Sequence, residues 1–362
     1  DEIGLEAPPS FRDTVRFEED VYFDVAPDYD DLDLYHWMRY QHSGDDNTFP
    51  FVLYDVYAAG DARMRARYQG MTTGLHDIDF HIAYGATEDN YVGQFSFSGT
   101  SATMDEDIYE SGPIPTSYFT DGDHTLRATG SGGSGANLDW FEFGYDREFT
   151  ARGGRLGFTN AGETGAVQFE VGNFGSDQLR LFDVTDPLAT AELTLGAENI
   201  DGEAGDYSLT FQDDVAGFTR YESAEDGDYH SVTEVERREP ANLWADEADL
   251  IVVSYDSFAG GVERLISHRE SEGWVVAHAR VSDVYDEFGG GLKSLQALKN
   301  YFDHAFSNWG RTPQFVLLVG DATTDPKGAE LSSQPDFIPT VLGHGSGSYP
   351  QMTASDQWFI SS

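Results

Sequence analysis

Leu250-Ile251-Val252-Val253-Ser254, Trp274-Val275-Val276-Ala277-His278-Ala279 and Phe315-Val316-Leu317-Leu318-Val319 are short apolar runs separated by stretches of helical periodicity. Runs this continuous read as strands covered on both faces. Between the first and second, Val262, Leu265 and Ile266 share one helical side, and Gly273 is placed to end the helix. Between the second and third, Leu295, Leu298, Phe302, Ala305 and Phe306 recur at helical spacing. Strand, helix, strand, helix, strand predicts parallel pairing with right-handed crossovers. Residues 245–362 are therefore expected to form the opening half of a doubly wound α/β domain. Its strand ends would feed the loops where sites form.

Upstream the pattern changes. Residues 1–17 read as a leading arm, broken by Pro8 and Pro9. Over 18–148, short alternating runs such as Phe51–Tyr57, Ile78–Tyr84 and Leu138–Tyr145 are separated by turn signals at Gly60-Asp61, Gly85, Gly99 and Asp121-Gly122-Asp123. That spacing predicts an antiparallel β-sandwich of jelly-roll type. Strict alternation puts Leu138, Trp140 and Glu142 on one face, and Asp139, Phe141 and Phe143 on the other. The Gly- and Ser-rich stretch Thr129–Asn137 reads as a flexible loop. Over 149–244 the runs Val167–Val171 and Leu179–Val184, the latter closed by Asp186-Pro187, predict a second, smaller β domain.

Composition limits the classes of function. The chain has 362 residues, with 65 Asp and Glu against 21 Lys and Arg, a formal net charge of -44. Only Lys293, Lys299 and Lys327 are lysines. The acids recur along the whole length, so the folded surface repels itself unless counter-ions screen it. Two readings follow, a mildly acidic secreted protein or one adapted to high salt. Nucleic acid is a disfavoured partner, because phosphate repels such a surface. There is no cysteine, hence no disulfide and no thiol catalysis within these residues. No apolar stretch is long enough to span a bilayer. The start at Asp1 fits a processed mature form, so an extracellular or cell-surface location is expected.

The last third carries an ordered set of further pieces. They are Ala248–Val253, His268–Val276, Val284–Gly289, Phe315–Ala322, Pro339-Thr340 and Ala354–Phe359. Together they resemble the start of the gingipain family of cysteine peptidases. The resemblance implies a caspase-like catalytic domain, secretion, and protein or peptide substrates. It also implies a catalytic Cys–His dyad downstream of Ser362, so that none of the catalytic residues lie in this chain. Leu138–Phe143 and Asp183–Pro187 resemble modules that precede such domains in large secreted bacterial members. Better-known gingipains carry a different pro-region there. The partners implied are the remaining part of the same precursor or further copies of the chain.

Other residues invite a chemical reading. His344-Gly345-Ser346-Gly347 superficially matches the family's His-Gly-Ser motif, but it precedes the Ser355-Asp356-Gln357 segment and reads as a Gly-rich loop. Ser346 and Ser348 lack the strand–turn–helix context of a nucleophilic serine. Asp321, Asp325 and Asp356 are candidates for holding calcium or shaping a loop, since calcium takes several oxygens; capping of turns is the plainer reading. The clusters Asp28-Tyr29-Asp30-Asp31 and Asp121-Gly122-Asp123 lack the spacing of an EF-hand and read as solvated surface. The remaining histidines (such as His76, His81 and His278) show no zinc spacing. Tyr35, Trp37 and Trp140 are candidates for binding carbohydrate or peptide, with core packing as the alternative. Two functions remain open. One is part of a secreted cysteine endopeptidase; the other is a non-catalytic surface, adhesion or filament protein that reuses these modules.

Overall fold

A computed structural model describes residues 5–23, 35–84, 88–99, 108–119, 121–130, 135–227, 237–245, 247–323, 325–328, 335–344 and 352–360. The chain divides into two compact units. One contains residues 1–19 and 36–233, the other residues 20–35 and 234–362.

Among the described residues, the strands of the first unit pair antiparallel around two hydrophobic cores. In the sandwich, one sheet runs in the order Phe11–Glu18, Ala136–Arg147, Asp61–Gly70, Ile114–Pro115; Met38–Gln41 and Ile108–Glu110 also pair into it. The other runs Asp46–Leu53, Gly122–Gly130, Leu75–Tyr84, Glu88–Ser98. Phe49, Phe51, Phe80, Phe141, Phe143 and Tyr68 fill the space between them. The arm expected over residues 1–17 is in part a strand: Phe11–Glu18 lies in register along Ala136–Arg147, from Phe11 opposite Arg147 to Glu18 opposite Trp140. The loop read over Thr129–Asn137 is shorter than expected, because its two strands run on to Gly130 and start again at Ala136.

A bulge corrects the alternation around Trp140. Leu138 pairs with Tyr68 but Trp140 pairs with Arg67, so Asp139 is the extra residue. The inserted residue flips the register of the faces. Leu138, Phe141 and Phe143 therefore all enter the core, while Trp140 is buried beneath the Arg16 guanidinium, 4.2 Å from its ring.

The second β region packs two small sheets. One orders Arg155–Thr159, Arg220–Glu225, Leu179–Asp183, Ala191–Leu193; the other orders Gly165–Phe174, Asp206–Val215, Ile200–Glu203. Phe158, Phe169, Phe211 and Tyr221 form an aromatic cluster with ring centroids 5.1–6.2 Å apart. Phe11 and Phe149 join it.

The second unit contains the predicted α/β element. Leu250–Ser254 is the central strand, with Val276–Arg280 on one side and Phe315–Val319 on the other, both parallel to it. Helix α1 (Ala259–Ser271) ends at Gly273, whose φ of +93° admits glycine without strain. Helix α2 (Val281–Phe288) follows the second strand directly, and α3 (Leu295–Asn308) begins at Ser294, whose hydroxyl accepts the Ala297 N–H at 3.1 Å. The sequence reading places no helix over Val281–Phe288, since eight residues abutting a strand give periodicity too little length. Every residue of the central strand is buried, whereas Phe315 is 54% exposed.

Candidate functional site

In a parallel sheet the strand carboxyl ends gather loops at one edge. Here loops follow Ser254 and Val319, while α2 begins directly after Arg280. Tyr255 donates its N–H to the Val319 carbonyl at 2.9 Å, which ties the first loop to the third strand. Asp256 accepts a hydrogen bond from the Ser282 hydroxyl, which joins the first loop to α2. Tyr255, Phe258 and Phe337 pack ring on ring, with centroids 4.9–5.6 Å apart. At Gly320 a Cβ would meet Ile338 at 2.9 Å and Phe337 at 3.0 Å, so only glycine lets the returning chain approach that closely. Beside it, Asp336 takes the Thr323 N–H at 3.2 Å and pairs with Lys293 at 2.7 Å. Tyr285 is buried next to this group, and burial raises its phenol so that it stays protonated.

On the opposite side of the sheet, Ser254 Oγ and His278 Nε2 are 2.9 Å apart. Ser254 is fully buried, so no substrate reaches its hydroxyl in this geometry. Burial pushes the His278 imidazole below its usual value, and Arg280 adds to this against the opposing pull of Glu263 and Asp283. A base depressed in the folded state binds fewer protons there than in the unfolded chain. The stability it contributes is present at neutral pH and is lost as pH falls below the unfolded value of about 6.5. His278→Gln is expected to narrow the gap in melting temperature between about pH 7.5 and about pH 5.5 relative to the parent. An unchanged gap would remove His278 from the account.

The three aspartates singled out from the sequence are separately committed. Asp321 is exposed and accepts the neighbouring Ala322 N–H at 3.1 Å. Asp325 is 2% exposed and accepts from the Tyr35 hydroxyl at 3.1 Å. Asp356 accepts from the Thr340 hydroxyl at 2.8 Å and opens the turn Asp356–Ile360. Among the described residues, no group of three or more His, Asp or Glu side chains is arranged to hold a metal ion. His344 ends the strand Leu342–His344, which pairs with Met352–Ala354; Gly345, Ser346, Gly347 and Ser348 lie outside the described residues, as do Asp28, Tyr29, Asp30 and Asp31. In the first unit, Asp121 is bound by Arg152 and by the Asp55 N–H. Trp37 stacks on Phe141 at 5.4 Å, and Tyr35 is buried, so the aromatic candidates are taken up by packing.

The carboxyl edge is thus a built loop cluster on a strand pattern that matches the ordered motifs. Residues 244–362 match the model of peptidase family C25, the gingipain family. In structure, the whole chain is similar to dimeric latent PorU from Porphyromonas gingivalis, with a TM-score of 0.64 and 16% identity over 99% of this chain and 35% of that one. The chain therefore spans about a third of PorU, and at this identity the likeness establishes fold. Weaker likenesses are to the infectious bursal disease virus VP2 particle (TM-score 0.22, 12% identity, 59% of this chain and 40% of that one) and to a secreted protein of Parabacteroides distasonis (TM-score 0.20, 7% identity, 62% and 86%). At those scores they carry no argument. No curated protein matches the sequence. The matched segment begins at the turn Leu243–Ala245, where both Glu287 carboxylate oxygens cap the chain by accepting the Asn242 N–H at 2.8 Å and the Leu243 N–H at 3.0 Å.

Proposed function

We propose that this chain is part of a secreted gingipain-type cysteine endopeptidase, in which residues 245–362 supply the first strands and one wall of the catalytic domain. The observation that carries this reading is the third strand. Phe315–Val319 is as apolar as the central strand, yet it pairs on one side only among the described residues. Beside it lies a groove of about 490 Å³ lined by Phe302, Phe306, Val316, Leu318, Phe359 and Ile360. A run this apolar belongs inside a parallel sheet, with a strand at each edge and both faces covered. A further strand of the same domain beside Phe315–Val319 is the neighbour that the family match supports.

The reaction needs a thiolate and an imidazole, and the sequence contains no cysteine. In the proposed enzyme the thiolate attacks the scissile carbonyl. The imidazole passes a proton to the leaving amine, and water then releases the acyl-thioester. The role of this chain is to hold the loops after Ser254 and Val319, and the start of α2 after Arg280, in place around that chemistry. A chain extended past Ser362 through a complete domain of this family should hydrolyse peptides and lose that activity on alkylation of its cysteine. Retained fold with no alkylation-sensitive hydrolysis would favour a non-catalytic assembly role instead. Equilibrium sedimentation of the same sample would then read whether copies associate, as the dimeric relative does.

A further inference from the structure

Residues 20–35 interrupt the sandwich sequence and belong to the compact unit that contains the parallel sheet. Both ends of this segment grip the same short piece of chain. At one end, Asp20 pairs with the Lys327 ammonium at 2.6 Å. At the other, the Tyr35 hydroxyl accepts the Lys327 backbone N–H at 2.8 Å and donates to Asp325 Oδ1 at 3.1 Å. The Lys327 ammonium also lies 4.5 Å from the centre of the Tyr35 ring. Tyr22–Phe23 pairs with the short strand that contains Tyr35, so the two grips are braced against each other.

The two grips differ in kind. Tyr35 is 4% exposed and Asp325 2%, so their hydrogen bond lies out of water. A buried carboxylate needs such a donor, because an unpaired one is costly to hold away from solvent. Asp20 and the Lys327 ammonium are partly exposed, and that pair is open to screening by salt. The chain they hold follows Phe315–Val319, at the carboxyl end of the sheet. Two of its own hydrogen bonds are short-range: Asp325 N–H to Thr323 Oγ1 at 3.1 Å, and Gly328 N–H to the Asp325 carbonyl at 3.1 Å.

We propose that the described ends of this segment, Asp20–Phe23 and Tyr35, form an intramolecular strap, with Tyr35 as its latch, that sets the position of the loop carrying Asp325 and Lys327. The strap does not rest on the peptidase reading. Tyr35 is therefore a positioning residue, and its test uses no activity.

Hydrogen exchange followed by mass spectrometry on the full chain supplies that test. Tyr35→Phe keeps the ring but removes the hydroxyl that accepts the Lys327 N–H and donates to the Asp325 carboxylate. Exchange of the peptide spanning 325–328 should rise roughly ten- to hundredfold. Exchange at Ile251–Val253 should stay at the parental rate. Asp20→Asn should raise exchange at 325–328 by less than about threefold, and only at low salt. Cleavage after Lys327 by a lysine-specific protease gives a second readout with the same expected order of variants. Exchange at 325–328 within about twofold of the parent in Tyr35→Phe would overturn the strap. So would a rise shared equally by Ile251–Val253, which would make Tyr35 a contributor to global stability. A larger effect from Asp20→Asn than from Tyr35→Phe would also overturn the assignment of the latch.

Discussion

Asp55→Ala is expected to destabilise the β unit by about 3 kcal/mol, a fall in melting temperature of about 6–12 °C. The side chain of Asp55 is 6% exposed and sits among arginines. It accepts from Arg152 Nε at 2.8 Å and Nη2 at 2.6 Å, and from Arg147 Nη2 at 3.2 Å. Arg147 also pairs with Asp13 at 3.0 Å, and Arg152 with Asp121. The network thus runs from the first strand of the sandwich to the hairpin that opens the second β region. Hydrogen bonding to Asp55 is the largest influence on the Arg152 guanidinium and holds its pKa above the usual range. Removing the carboxylate leaves two guanidinium groups facing each other, one of them only 16% exposed. Breaking a buried pair from one side costs more than the pair contributes, because the remaining charge keeps its desolvation penalty. Arg152→Ala should cost less, about 1 kcal/mol, since its side chain is 39% exposed and water replaces part of what is lost. Thermal melts of the two variants check the order. Equal losses would contradict the assignment of Asp55 as the centre of the network.

Raising salt from about 0.1 M to about 2 M should stabilise the protein by roughly 3 kcal/mol, on the order of 10 °C in melting temperature. Two effects oppose each other. Surface ion pairs such as Arg180–Glu192 and Arg311–Asp249 weaken as salt rises, but exposed pairs of this kind contribute little to begin with. The repulsion among 65 acids, against 21 basic residues, relaxes over the same range as the screening length falls from about 10 Å to about 2 Å. The second effect acts on every uncompensated carboxylate and wins. The Asp55 carboxylate is 6% exposed and its pairing with Arg147 is the least screened part of that network, so it should persist at both ends of the range. Melts that stay flat, or fall, between the two salt concentrations would show that the acidity is not an adaptation to salt.

Much of the α/β unit was legible because Leu250–Ser254 and Phe315–Val319 are apolar without interruption, and only strands buried on both faces tolerate that. The antiparallel character of the β region was legible from its alternation, but the faces around Trp140 were not. One extra residue at Asp139 inverts the parity, and a bulge leaves no mark that alternation alone detects. Helix α2 was hidden by its length. Phe11–Glu18 was hidden by its place after two prolines, although its own residues alternate cleanly. The candidate site divides along the same line. Asp325 was chosen for its place after a buried strand, while its partner Tyr35 was read as a surface or core aromatic. Nothing local in either stretch announces a contact between residues so far apart in the chain. Asp55 was not singled out at all, because its importance comes from two arginines that reach it from beyond residue 140.

Hydrogen exchange at Phe315–Val319, compared between this chain and one continued past Ser362 through a complete domain of the family, tests the central claim most directly. Only one edge of that strand is bonded here among the described residues. If later residues add strands beside it, its amides should slow by at least roughly a hundredfold, toward the rates of Leu250–Ser254. Unchanged exchange at Phe315–Val319 in the longer, folded chain would contradict the placement of residues 245–362 as the opening half of a peptidase domain.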